Sequence, residues 1–424
     1  MDASAEDDTD VPREARLLRD AQGKLAFIGD CAPLSLFQSI RQFVTSRIGH
    51  TAFAPETSRF SVLENAPLGL SDGLASSHRA LPDVLATDVA PAVAEYLTVT
   101  SGLVDLFDHL RLADDILLWA SVSSSADQRS NKPSSSLDSI LYYLVIAIGR
   151  RHEDGDVALA YFEHARDQAY QSLNHNLSVE TIQAFVLITV YMLLSCQINS
   201  AFLVFGIAVR AAYSIGLHRT EVNARFSQDI HRQRDRLWKS LRVVDLFMSV
   251  SMGRPPATAD VDCTVPYRAL DNDGIELFDL LNASVQILLL LEVIVTQIYS
   301  RKKISLQLTE GISLQLREWS AQWLWRLKDI IAQPDAHTSA ELSGASQILS
   351  SYYYSVMLVS RPFLMYELFR RLSDSSAGGI RASTMASGKS RLADACIDAA
   401  SIMVDSLQGL IEQRSLNGQM PLLV

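Results

Sequence analysis

The chain has 424 residues, 48% apolar and 20% charged, enough apolar material for a large core and too much for a globally disordered chain. Its formal charge is −11. An acidic chain repels phosphate backbones and no run of five or more Lys/Arg interrupts the average, so direct DNA binding by this polypeptide is not expected.

In chain order, residues 1–24 read as a charged, mobile leader, and 25–424 as one helical domain. The start, "MDASAEDDTD", is acidic and is not a signal peptide. No segment keeps a strand-type alternation between hairpin turns, so the predicted fold class is all-α: an irregular multi-helix array with no sheet of consequence. The Ser/Gly-rich stretches 121–136 and 373–390 read as mobile loops between helices.

Several helix limits can be read directly. Ser178 caps "VETIQAFVLITVYMLL", with Glu180 in the first turn where the helix dipole favours a negative charge. "AFLVFGIAVRAAYSI" (201–215) stops at Gly216. "RLWKSLRVVDLFMSVSM" (236–252) places Leu237, Leu241, Val244 and Met248 on one face and ends at Gly253-Arg254-Pro255-Pro256. A later helix carries Leu316, Trp319, Trp323, Leu327 and Ile330 and stops before Pro334. Pro362 is expected to break or kink "ILSSYYYSVMLVSRPFLMYELFRRL". The greasy stretches 184–194 and 287–295 read as core helices and no membrane is implied: the first is short, and the second holds Glu292.

Catalytic signatures are missing: there is no G-x-S-x-G, G-x-G-x-x-G, P-loop or H-E-x-x-H. The four cysteines, Cys31, Cys196, Cys263 and Cys396, form no C-x-x-C pair, so no sequence-local metal site is expected. "RRHEDGD" (150–156) reads as a solvated turn, since its spacing is not that of a calcium loop. Asp114-Asp115 hints at the aspartate-rich helix of all-α isoprenoid enzymes, but Leu118 stands where a third carboxylate is required, which leaves that activity a remote alternative.

The most informative stretch is 236–255. Trp238, Arg242 and Asp245 lie at i, i+4 and i+7, and Asp245 sits inside "VVDLF". A buried carboxylate needs a cation or several N–H donors. The arginines at hand are Arg242, Arg254 and Arg219. Two readings stand open: a structural brace tying the helix to the Gly-Arg-Pro loop, and a pocket for an anionic ligand that uses the spare guanidinium groups.

The pattern resembles the fungal-specific transcription factor domain, the middle homology region found downstream of binuclear zinc-cluster modules. The elements that carry the likeness are "GLHR" (216–219), "HRQRDRLW" (231–238), Asp245, "GRP" (253–255) and "DVDCTVP" (260–266), where family members often have a second Trp and this chain has Lys239. The stretches 23–43, 161–170, 178–193 and "YYYSVMLVSRPFL" (352–364) are also similar. The resemblance implies a nuclear, non-enzymatic regulatory domain of transcription by RNA polymerase II. Its partners would be the transcription machinery, another factor, or a small-molecule effector, in a homo- or heterodimer. The candidate residues are Arg219, Trp238, Arg242, Asp245, Gly253, Arg254 and Pro255, as brace or ligand pocket. Family members bind two zinc ions in a six-cysteine module; these four cysteines supply no such module and no cofactor is expected, so DNA would be reached through a missing module or a partner. Either the chain is a piece of a larger factor, or it is a paralogue that pairs or competes with a complete one.

Overall fold

The computed structural model describes residues 9–11, 16–19, 25–48, 81–124, 137–173, 177–271, 273–376 and 388–412. Their order is β1 (Thr9–Asp10), β2 (Arg16–Arg19), β3 (Leu25–Ile28), α1 (Pro33–Ile48), α2 (Ala86–Thr100), α3 (Leu112–Ser124), α4 (Leu137–Arg150), α5 (Gly155–Ser172) and α6 (Val179–Leu194). There follow α7 (Ile198–Ser214), α8 (Thr220–Asn223), α9 (Gln228–Met252) and α10 (Leu280–Ile294), which runs on into a π-turn, Val295–Tyr299. The chain continues with β4 (Lys303–Ile304), α11 (Leu306–Ala332), α12 (Ser339–Ser376) and α13 (Gly388–Glu412). The architecture is all-α, as the patterning predicts; the strands form only two antiparallel pairs, β1 with β4 and β2 with β3.

One apolar core runs from α2 to α12. Two helices occupy its centre. In α6, thirteen of sixteen residues are buried, and Ser178 closes a reciprocal capping box with Thr181. In α9, every residue from Leu237 to Val250 is buried, Lys239, Arg242 and Asp245 among them. A helix covered on all sides is a central strut rather than an amphipathic surface helix. It stops at Gly253, whose φ of +64° gives the left-handed cap that residues with a Cβ avoid. Leu280–Tyr299 is long and apolar enough by composition to cross a membrane. It is packed as a core helix instead, with Val285, Leu288 and Leu291 buried and with α9 and α12 alongside.

Two expectations change. Helix α12 continues through Pro362, so of the break or kink expected there the break does not occur. Proline leaves the carbonyl four residues earlier without its helical donor, and that carbonyl, Leu358 O, accepts instead from Tyr299 Oη at 2.8 Å. Within 1–24, Thr9–Asp10 pairs with Lys303–Ile304, Val11 is buried, and Arg16–Arg19 pairs with Leu25–Ile28. The rest of that leader lies outside the described residues. Of the two Ser-rich stretches, 121–124 complete α3, 373–376 complete α12 and 388–390 begin α13, while the remainder lies outside the described residues.

Candidate functional site

The motif residues converge on one loop. Between Gly253 and Asp279 the chain makes little regular structure, and α9 and the α7–α8 turn hold it by two clamps.

Asp245 forms the first clamp. It is fully buried, accepting from Ala257 N (3.0 Å), Thr258 N (2.6 Å) and Thr258 Oγ1. No arginine neutralises it directly. Arg242, also fully buried, donates to Thr258 Oγ1 (2.7 Å), Thr258 O (3.2 Å) and Glu292 Oε2 (2.8 Å), and its Nε faces Asp260 Oδ1 at 3.2 Å. The two charges therefore meet through one threonine hydroxyl. Burial pushes the Asp245 carboxyl above its ordinary range, partly offset by the donated hydrogen bonds. Burial also raises Glu292 against the pull of Arg242. For Arg242, burial opposes the charge, but Glu292 and Asp260 outweigh it and raise the pKa.

Trp238 extends this clamp. Its Nε1 donates to Cys263 Sγ (3.0 Å) and lies 3.4 Å from Tyr267 Oη, which in turn donates to Asp260 Oδ1 at 2.8 Å.

The second clamp is the Gly-Leu-His-Arg turn. Arg219 pairs with Asp262 and with Glu221 (2.6 Å), His218 O accepts from Thr264 N, and Thr264 Oγ1 donates to Glu221 at 2.5 Å. The Thr264 and Arg219 bonds bring the Glu221 carboxyl down to about 2. Arg254 turns away from the clamps, toward Phe27 O (3.2 Å) and Asn199 Oδ1 (2.5 Å), while Pro255 is exposed beyond the cap. The expectation that Arg219, Arg242 or Arg254 pairs with Asp245 is thus corrected: backbone N–H donors fill that role, and each arginine has other partners.

Sequence reading missed several members. Thr258 joins Asp245 to Arg242, and nothing in "PPATAD" marks it. Glu292 was visible as a charge inside an apolar helix. Lys239 is buried and donates to Asn282 Oδ1 at 2.8 Å. Arg234 is buried and holds Asn223 Oδ1 (2.7 Å) and Ile215 O (2.8 Å).

Two adjoining cavities, of about 430 and 640 Å³, open near the start of α9, beside the α2–α3 connection. They share Asp105, Leu106, Phe107, His109 and Arg236, and none of the seven motif residues lines them. Arg236 pairs there with Asp105 and with Asp279 Oδ2 (2.8 Å). Burial lowers the pKa of His109. Asp114 and Asp115 sit on the exposed face of α3, as does Leu118, and line neither cavity. Asp154 caps α5 through Val157 N (3.2 Å) within the Arg-His-Glu-Asp turn. Among the described residues, no group of three or more His, Cys, Asp or Glu is placed to hold a metal.

Residues 95–282, from α2 through both clamps to the start of α10, match the fungal specific transcription factor domain. That match covers a little under half of the chain. It is similar to filamentous growth regulator 27 of Candida albicans, at 26% identity over 85% of this chain and 47% of that protein. It is also similar to activator of stress genes 1 of Saccharomyces cerevisiae (24%, over 50% of this chain and 23% of that protein). A third relative is the terreic acid cluster-specific transcription factor atF of Aspergillus terreus (27%, over 38% and 27%). The chain spans less than half the length of these relatives, and no solved structure gives a significant match.

Proposed function

We propose that this chain is the regulatory domain of a fungal transcription factor, acting in the nucleus on transcription by RNA polymerase II through protein or ligand contacts and without catalysis. The observation that carries this reading is the match over 95–282 combined with the burial of its motif. Trp238, Arg242 and Asp245 are internal scaffolding, with no exposed acid or nucleophile among them. The ligand-pocket reading of the motif is therefore set aside in favour of the brace. A small-molecule effector is better served by the paired cavities at Arg236, whose volumes suit a small molecule and whose charged groups would orient it.

The net charge of −11 supports a division of labour in which DNA is contacted by a zinc-cluster module or a partner factor. Zinc, in this reading, belongs to that module.

The test is a reporter assay with the chain fused to an unrelated DNA-binding domain. A several-fold change in transcription is expected relative to the DNA-binding domain alone. A well-expressed nuclear fusion with no effect on the reporter refutes the reading.

A further inference from the structure

The stretch from Phe27 to Ser35 lies across the end of α9, the end of the π-turn and the middle of α12. Gly29 N donates to Met252 O at 2.8 Å, at the end of α9. Its backbone lies so close to Gly253 that a Cβ on Gly29 would stand 1.9 Å from the Gly253 oxygen. The next three carbonyls converge on one guanidinium of α12. Arg361 donates to the oxygens of Asp30 (3.1 Å), Cys31 (3.3 Å) and Ala32 (3.3 Å), and Tyr354 Oη adds a bond to Cys31 O at 2.9 Å. Arg361 also stacks over the Tyr299 ring, 5.7 Å from its centroid, at the end of the π-turn. Lys302, just beyond that turn, faces Asp30 at 3.8 Å.

The grip is unusual in kind. It reads backbone carbonyls, which a planar fork of donors suits and which place no demand on the side chains they belong to. The apolar support is small: Cys31 alone of the segment joins the main core, while Ile28, Ala32 and Met252 form a separate cluster backed by Leu34 and Ile198. Leu25 and Phe27 face outward. Burial, slightly offset by Cys396, brings the Arg361 pKa down to about 9, a sign that the guanidinium sits in a dry setting. Polar contacts from Arg361, Arg254, Lys302 and Tyr354 supply most of the hold, and a segment held mainly by such contacts, with few apolar ones, opens at a cost below that of global unfolding.

We propose that Phe27–Ser35 is a latch that opens as its own cooperative unit, with Arg361 as its catch and the Gly29–Gly253 contact as its seat. Closed, it ties the chain before it to α9, the π-turn and α12. Open, it uncouples them. The same elements carry Asp245 and lead on from Glu292, so a shift in the clamp reaches the latch through the Gly253 cap. The latch is defined by geometry and stands or falls independently of the transcriptional reading.

Hydrogen exchange of the full chain tests it. The reporting amides are Gly29, Ala32 and Ser35, which donate to Met252, Gly29 and Ala32 carbonyls. In Gly29→Val and Arg361→Met their protection is expected to fall at least about tenfold, with α6 and α10 amides unchanged. Unchanged protection of these three amides in Gly29→Val overturns the latch. So does an equal loss across α6 and α10, which would make the segment part of the global unit. Where Arg361→Met unfolds the chain outright, Gly29→Val alone decides, because it strikes the seat and leaves every side chain of α12 in place.

Discussion

Asp245→Ala isolates the first clamp. The carboxylate serves three donors, and truncation strands them unequally. Thr258 is buried, so its N–H and hydroxyl lose their acceptor without gaining water; Ala257 is exposed, so its N–H is resolvated. A stranded buried donor costs about 1–3 kcal/mol. Two of them, less the burial penalty the carboxylate itself carried, leave a loss of about 2–4 kcal/mol. Arg242 does not add to this, because it keeps Glu292 and Asp260. Against a total stability of about 5–15 kcal/mol the loss is large, and in a chain of this length it should lower the melting midpoint by roughly 2–5 °C. The assay is thermal melting of the purified chain, with Asp245→Asn as control. Asparagine keeps the volume but turns an NH₂ toward one of the donors, so it should cost nearly as much as alanine. A melt within about 1 °C of wild type for Asp245→Ala would falsify the clamp. An Asn variant as stable as wild type would show that volume, rather than accepted hydrogen bonds, is what Asp245 supplies.

Two further outcomes follow from other parts of the same packing. Tyr299→Phe should cost about 1–2 kcal/mol by stranding Leu358 O, and adding Pro362→Ala should recover part of it, since the restored N–H refills that carbonyl; a double variant no more stable than Tyr299→Phe contradicts the account. Glu292 has its folded-state pKa raised, so the folded chain holds that proton more tightly than the unfolded one, and its contribution is greatest below pH 4.5 and declines as pH rises through the folded value; denaturant titrations from pH 4 to 8 should therefore show wild type losing stability relative to Glu292→Gln, and parallel curves would refute the shift.

Local chemistry was legible in the sequence, and tertiary chemistry was not. Ser178 and the stop at Gly253 were readable because a cap is decided within a few residues. The burial of Asp245 was readable from its apolar neighbours, but its partners were not, because backbone N–H groups of a loop have no side-chain signature. Glu292 stood out as a misplaced charge, yet joining it to Arg242 requires knowing that α9 packs on α10. At Pro362 the local rule allowed a break, and the helix runs on with a hydroxyl from distant Tyr299 filling the carbonyl that proline leaves open. The pairings of Thr9–Asp10 and Arg16–Arg19 are too short to show a strand period amid charged residues.

The buried polar groups of α9 share a further property: each engages a different partner residue, on three neighbouring segments. Arg234 reaches Asn223 in α8, Lys239 reaches Asn282 at the start of α10, Arg242 reaches Glu292 about three turns further along α10, and Asp245 reaches the 257–258 loop. Leucine and valine contacts tolerate a slide of one turn, since one apolar ridge resembles the next; directional bonds do not. The polar series therefore fixes the register of α9 against its neighbours, at some cost in stability relative to an apolar core. Arg242–Glu292 and Lys239–Asn282 lie on the same helix pair, so α10 cannot slide along α9 without breaking both.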